Sequence, residues 1–249
     1  MSDLDLALAA AFLVIAALYS SVGHAGASGY IATMALLAIP AATIKPTALA
    51  LNILVATIGV FRFARAQLVP WRLVLPLIVG SVPLAYVGGA LQLPAQLYQR
   101  VLAVVLASAA VQLFVTAHHA LDKEAGAGVR PMPIPLGLVL GAGLGFVAGL
   151  TGTGGAIYLT PLLILAGFAT TRIASGASAV FVLVNSISGL IAVAPDPAKL
   201  PNALPMWLGA VAVGALIGTQ FGRGALPVGS LRRVLAIVLL IAAGKLWWT

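Results

Sequence analysis

The chain has 249 residues, of which 62% are hydrophobic and only 7% are charged. Because a soluble domain carries roughly 25% charged residues, this composition excludes a water-soluble globular protein. The formal net charge is +8, but the thirteen Lys and Arg residues stand singly or in pairs between apolar runs, which argues against nucleic-acid binding.

The apolar runs are long enough to cross a membrane, since a span takes about 20 apolar residues. Asp3 and Asp5 stand where a signal peptide would carry Lys or Arg, so we expect the first run to stay uncleaved. The sequence predicts an all-α polytopic membrane protein. Six runs contain no Asp, Glu, Lys or Arg: 6–44, 73–99, 101–121, 131–171, 173–195 and 200–222.

The first run is interrupted by the sequence SVGHAGASGY, in which Gly23, Gly26 and Gly29 fall at every third position. Glycine is a poor helix former and readily adopts positive φ, so this stretch is predicted to break the helix. His24 and Ser28 lie inside the same stretch and add polar side chains to the predicted break.

Lys45 stands just ahead of the next long apolar run, where Pro46 suits the first turn of a helix. Two interpretations stay open for Lys45: a cation that attracts or touches an anion, or an anchor that extends to the membrane interface. Asn52 lies further along the same run and is predicted to line a path through the protein rather than face lipid.

A second copy of the glycine motif, GLTGTGGAIY, follows the most polar stretch of the chain, a linker predicted at 121–133. In this copy Gly149, Gly152 and Gly155 match the earlier triplet at an offset of 126 residues. Polar or flexible residues again occur within the motif and in the apolar run that follows it: Thr151, Thr153, Gly154, Arg172, Ser178, Asn185 and Ser186.

Further matches keep the same order along the chain, with an offset that grows slowly as loop insertions would produce. The sequence therefore predicts two repeats, residues 1–120 and 134–249. The matches are Lys45 with Arg172, Gly80 with Gly209, Gly89 with Gly218, and RVLAVVLASAA from Arg100 with RVLAIVLLIAA from Arg233.

The charges between the runs favour an inverted arrangement of these repeats. If each glycine motif is the tip of a hairpin that returns to its starting side, nine of the thirteen cations share one side and four share the other. This satisfies the positive-inside rule and places the N-terminus outside, whereas a single crossing at each motif gives no bias. Each repeat is then a glycine-tipped hairpin plus three transmembrane helices.

The second arm of each hairpin is predicted to be short. The arms near 30–40 and 156–167 have about 11 to 12 residues, which reach roughly half to two-thirds of a 30 Å hydrocarbon core. We therefore expect re-entrant or unusually short arms.

Paired interrupted segments at matching positions of two inverted halves predict a transporter's binding site. The helix after each break begins with unpaired N–H groups and a positive dipole end, which favour an anion. The alternative is close packing, and Gly137, Gly141, Gly145 and Gly149 are typical of a packing ridge. The predicted substrate site comprises Gly23, His24, Gly26, Ser28, Gly29, Lys45, Asn52, Thr151, Gly152, Thr153, Gly154, Gly155, Arg172 and Ser178.

The absence of carboxylates from the apolar runs disfavours a cationic substrate and a metal site, and the absence of cysteine excludes thiolate ligands and disulfides. An enzyme would need a nucleophile and base, which His24 alone does not provide, and no cofactor is predicted. If protons are the coupling ion, His24 is the candidate carrier. A carrier of another organic anion or of a metal ion, and a membrane assembly subunit, remain alternatives.

The two glycine motifs and the residues behind them resemble those of the TauE/SafE family of sulfite exporters and organosulfur-anion permeases. The resemblance rests on GLTGTGGAIYLTPLLILAGFATTRIASGASAV at 149–180 and on its fainter copy GHAGASGYIATMALLAIPAATIKPTALALNIL at 23–54, and it covers essentially the whole chain. It implies transport of sulfite, sulfonates or similar sulfur oxyanions across the plasma membrane of a bacterium.

Overall fold

The regular structure of the chain is α-helical throughout the part that the computed structural model describes, which is residues 2–21, 23–119, 130–195, 200–221 and 228–248. This confirms the predicted all-α class. Most of the predicted linker at 121–133 lies outside the described residues. The helices are α1 (Asp3–Ser21), α2 (Ala27–Leu36), α3 (Ala41–Arg65), α4 (Trp71–Ala90), α5 (Ala95–His119), α6 (Ile134–Thr151), α7 (Ala156–Leu165), α8 (Thr171–Val193), α9 (Leu204–Phe221) and α10 (Val228–Trp248).

Within the described ranges, five helices are long and apolar enough to cross a membrane: α1, α3, α4, α6 and α8. Helices α2 and α7 have only 10 residues each. At a rise of 1.5 Å per residue they are about 15 Å long, half of a 30 Å hydrocarbon core. The prediction of a short arm after each glycine motif is confirmed.

Helix α2 doubles back beside α1, and the chain just before α7 folds back onto α6. A Cβ added at Gly29 of α2 would lie 2.6 Å from Cγ2 of Ile15 and 3.3 Å from Cε2 of Tyr19, both in α1. A Cβ added at Gly155, just before α7, would lie 3.3 Å from Cβ of Ala148 in α6. Each glycine break is therefore the bend of a helical hairpin.

The helices of the two halves pack in matching pairs. Helix α1 packs against α9 as α6 packs against α4, and α2 contacts α10 as α7 contacts α5. Helices α3 and α8 pack on each other, and so do α5 and α10. Such a pattern is expected when two five-helix units of similar structure are related by a two-fold axis.

The glycine ridge of α6 is a packing surface, as the close-packing interpretation predicts. A Cβ at Gly141 would collide with the carbonyl oxygen of Leu77 in α4, and a Cβ at Gly145 would collide with that of Ser81. Helices α4 and α6 thus touch backbone to backbone, the arrangement that small residues permit in membranes. The matching pair repeats this contact, since Gly218 of α9 lies against the carbonyl of Ala17 in α1.

Helices α3 and α8 cross antiparallel and bring the two halves together. A Cβ at Gly59, late in α3, would lie 3.6 Å from Cβ of Ala179 in α8. A Cβ at Gly189, late in α8, would lie 3.5 Å from Cδ1 of Leu49 in α3. These two contacts are equivalent at an offset of 130 residues, from 49 to 179 and from 59 to 189. The same offset relates Pro40 and Thr170, the residues that precede α3 and α8.

Candidate functional site

The two breaks have positive φ at two matching glycines, and the second break has a third such residue in Gly154. Gly23 and Gly152 have φ of +80° and +81°, and the residues that precede α2 and α7 are Gly26 with φ +97° and Gly155 with φ +80°. Left-handed backbone of this kind strongly favours glycine, because a Cβ would meet the neighbouring carbonyl. The breaks therefore correspond at an offset of 129 residues, not at the offset of 126 predicted from the glycine triplets.

This shift of three residues changes the role of one predicted site residue. Gly29 lies inside α2, where its missing side chain lets the helix approach Ile15 of α1. Gly149 lies inside α6, where a Cβ would collide with the carbonyl oxygen of Ala85 in α4. Both residues serve helix packing, and the bends themselves are formed by the other glycines of each motif.

Helices α2 and α7 begin at the breaks without a side-chain cap. The first N–H groups of an α-helix have no intrahelical partner, and they carry the positive end of the helix dipole. Residues on both sides of the breaks, among them Ala25, Ala27 and Ala156, belong to one buried apolar cluster. Each helix start is thus a set of N–H donors in a largely dry environment, which suits a small anion.

The second break lies against three polar side chains from α3 and α8. A Cβ at Gly152 would lie 3.3 Å from Cγ of Lys45, and a Cβ at Gly154 would lie 2.9 Å from Nδ2 of Asn52 and 3.4 Å from Oγ of Ser186. Sequence reasoning placed all but Ser186 in the site, and the structure brings them together.

Asn52 is completely buried and points at this break. Its Nδ2 donates a long hydrogen bond of 3.5 Å to Oγ of Ser186, and its Oδ1 is buried without a partner. A buried acceptor left unpaired costs roughly 1–3 kcal/mol, so an amide in this state marks a place where a ligand or water binds.

Lys45 is buried inside the protein, with 9% of its surface exposed. Its Nζ donates to the carbonyl oxygens of Gly89 at 2.8 Å and Gly88 at 3.4 Å, at the C-terminal end of α4. A helix C-terminus carries partial negative charge, which stabilises this position of the ammonium group. Lys45 thus ties the start of α3 to the C-terminal end of α4.

Arg172 does not take the place that the sequence assigned to it. It is the second residue of α8 and is exposed, whereas Lys45 is the fifth residue of α3. The residue of α8 that matches Lys45 is Ser175, and a Cβ at Gly23 of the first break would lie 2.8 Å from its Oγ. The predicted equivalence of Lys45 and Arg172 is wrong, because α8 begins late enough to leave Arg172 in its exposed first turn.

Ser178 is buried, but it binds α7 rather than the break. Its Oγ and Oγ1 of Thr160 form a hydrogen bond of 2.6 Å between α8 and the middle of α7. This bond fixes the short helix on α8 and therefore supports the position of the break indirectly.

The hydroxyl groups of the second break hold its backbone in shape. Oγ1 of Thr151 donates to the carbonyl of Val147 at 2.7 Å and lies 2.9 Å from Oγ1 of Thr153. The hydroxyl of Tyr98 in α5 donates to the carbonyl of Thr151 at 3.2 Å. No sequence signal identifies Tyr98, because it is separated from the break by more than fifty residues.

The first break is held in the same manner by two buried tyrosines. The hydroxyl of Tyr19 lies 2.8 Å from Oγ of Ser28, and the hydroxyl of Tyr30 donates to the carbonyl of Ala25 at 2.8 Å. His24 is partly buried, with its ring 6.3 Å from the ring of Tyr19 in an edge-to-face arrangement. It lines a small cleft together with Gly23, Ala56, Ala179 and Thr219.

Comparisons with known proteins agree with the predicted resemblance. The family model described as "Sulfite exporter TauE/SafE" matches residues 8–246. The chain is 42% identical over 243 residues to "Probable membrane transporter protein y4hK" of Sinorhizobium fredii, and the match covers 97% of each chain. No solved structure matches the chain.

Proposed function

The chain belongs to the TauE/SafE family of sulfite exporters, and on this premise we propose that it transports sulfite or a related small sulfur oxyanion. The observation that carries the proposal is the surroundings of the second break. The buried side chain of Lys45, an unpartnered buried amide and an uncapped helix N-terminus lie around one glycine bend. Cation, amide and backbone N–H are the donors that bind oxyanions in proteins.

The proposed binding place lies between the two glycine breaks, near the α3–α8 crossing. One line of α8 residues joins them, since Ser175 contacts Gly23 of the first break and Ser186 lies near Gly154 of the second. Helices that end inside the membrane and point their N-termini at a shared site are the arrangement by which many secondary transporters bind anions. Alternating access would then open this place to each side in turn.

We further propose that the two repeats, residues 1–120 and 134–249, have inverted topology, with the N-terminus outside a bacterial plasma membrane. Two observations support the inversion: the matching helix pairs and the antiparallel crossing of α3 and α8. When a two-fold axis relates two antiparallel membrane helices, it lies in the membrane plane, which gives inverted repeats.

Cysteine labelling tests this topology, and the chain has no cysteine of its own to interfere. In the variants Ser2→Cys and Gly126→Cys, we expect an impermeant maleimide to label the first from outside intact cells and the second only after the cells are opened. An odd number of crossings separates the two sites under the inverted arrangement. Labelling of both sites from the same face would contradict it.

The transport assay uses purified protein in liposomes and radiolabelled sulfite. We expect saturable uptake above that of protein-free liposomes, competed by other small sulfur oxyanions such as methanesulfonate and not by chloride. If a non-sulfur organic anion competes best, the substrate belongs to that class of anion and not to the sulfur oxyanions. If the folded protein takes up no anion, the glycine breaks serve helix packing, and membership of the family does not mean that this chain transports sulfite.

A further inference from the structure

The two breaks bend at matching glycines but have different polar surroundings. Because residues of α3 and α8 correspond at an offset of 130, each side chain of one helix has a counterpart on the other helix. Polar residues gather at the second break, and their counterparts at the first break are smaller or apolar. The matched positions are Lys45 at the second break with Ser175 at the first, and Ser186 at the second with Ala56 at the first.

The side chain of Lys45, which lies beside Gly152 of the second break, ends in a single positive charge. Lys45 is the one charged residue among the buried side chains in the part of the chain that the structure describes. The partners found for its Nζ are the carbonyl oxygens of Gly88 and Gly89, and neither carries a full charge. Lys45 can therefore neutralise one negative charge of a ligand. A second negative charge would be buried without a partner, at a cost of several kcal/mol.

From this charge count we infer that the transporter binds its substrate as a monoanion at the second break, with Lys45 as the counter-charge. This inference rests on the proposed function and narrows it. Among sulfur oxyanions it selects hydrogen sulfite and sulfonates, which carry one charge, over the sulfite dianion and sulfate, which carry two.

Asn52 provides an independent reason for the protonated form of sulfite. Its Oδ1 is a buried acceptor without a partner, and Nδ2 of the same amide lies beside Gly154. Hydrogen sulfite brings a hydroxyl donor that can satisfy this acceptor, whereas the sulfite dianion has none.

The pH dependence of sulfite uptake tests this inference, because sulfite loses its second proton near neutral pH while sulfate stays a dianion. Uptake into liposomes is measured from below to above this pH, with equal pH on both sides, a protonophore present and protein-free liposomes subtracted. We expect the KM for total sulfite to rise about tenfold per pH unit on the alkaline side. The KM expressed as hydrogen sulfite should stay constant, and sulfate should compete at least tenfold more weakly than sulfite does.

Titratable groups of the protein need a separate control. Those that face the breaks are Lys45 of α3 and Tyr98 of α5 at the second break and, at the first, Tyr19 and Tyr30 beside His24. Methanesulfonate, which keeps a single charge at every pH, controls for Lys45: its KM should stay constant over the range in which the KM for total sulfite rises. Only histidine ordinarily titrates near neutral pH. The variant His24→Gln should keep the same slope of KM against pH, whatever its basal rate.

The outcomes separate the inference from the proposed function. A KM for total sulfite that stays constant or falls as the pH rises, equal competition by sulfate, or loss of the slope in His24→Gln would overturn the monoanion inference while sulfite transport stands. An absence of uptake of every sulfur anion at every pH would instead overturn the proposed function itself.

Discussion

Replacement of Lys45 by glutamine is expected to lower the kcat/KM for sulfite uptake by at least about 30-fold. Removal of one partner from a buried, hydrogen-bonded charge pair costs about 2–5 kcal/mol, and each 1.4 kcal/mol is a factor of ten. Glutamine can still donate to the carbonyl of Gly89, so the end of α4 keeps a hydrogen-bond partner and the fold should survive. Initial uptake rates over a range of sulfite concentrations measure the effect.

Lys245→Gln is the matched control for this prediction. Nζ of Lys245 in α10 donates to the carbonyl of Leu36 at 2.6 Å, so it too binds the C-terminal end of a helix, in this case α2. We expect Lys245→Gln to keep uptake within about threefold of the unaltered protein, since binding of a helix end is worth only about 0.3–1 kcal/mol. Equal losses in both variants would mean that Lys45 acts through α4 and not on the anion.

Replacement of Gly141 by valine is expected to prevent the folded protein from accumulating. Its side chain would enter the backbone contact of α6 with Leu77 in α4, where no flexible side chain can move aside. Overpacking costs about 1–3 kcal/mol even where side chains can rearrange, and here two helices would have to separate. The yield of monodisperse protein after detergent extraction, measured by size-exclusion chromatography, reports the result.

Gly143→Val provides the control on the same helix. A Cβ at Gly143 has no neighbour within 4 Å, so valine should be accepted there without loss of folded protein. The comparison separates steric overlap from the general effect of valine in a helix. A normal yield for Gly141→Val would show that α4 and α6 are not in the close contact described.

The fold class and the short hairpin arms could be predicted from the sequence, since both follow from local properties. A charge-free run that is twice the length of one span and has glycines in its middle predicts two helices joined by a bend. The ends of α2 and α7 then followed to within a few residues. Burial of a polar residue was also predictable for Asn52, because lipid does not accept an amide readily.

The register of the two halves could not be predicted in the same way. Glycine is used both where φ is positive and where helices touch, and these uses look alike in a sequence. Gly29 packs against α1 while Gly26 forms the bend, yet both belong to one evenly spaced triplet. The resulting error of three residues paired Lys45 with Arg172, which lies in an exposed first turn.

Contacts between distant segments were beyond sequence reasoning altogether. The hydroxyl of Tyr98 holds the second break from another helix, and neither its residue type nor its neighbours indicate this. The same holds for Ser186, whose place beside Gly154 depends on how α8 crosses α3.

The backbone contacts between α4 and α6 and between α1 and α9 bear on how such a molecule can move. Helices that meet carbonyl against Cα have no compressible side-chain layer between them, so neither pair can slide internally without clashes. Each pair must travel as one rigid block. The contacts of α3 with α8 at Gly59 and Gly189 differ, because a Cβ there would meet side chains of the other helix at ordinary van der Waals distances. Sliding of α3 past α8 therefore meets less steric resistance than sliding within either pair.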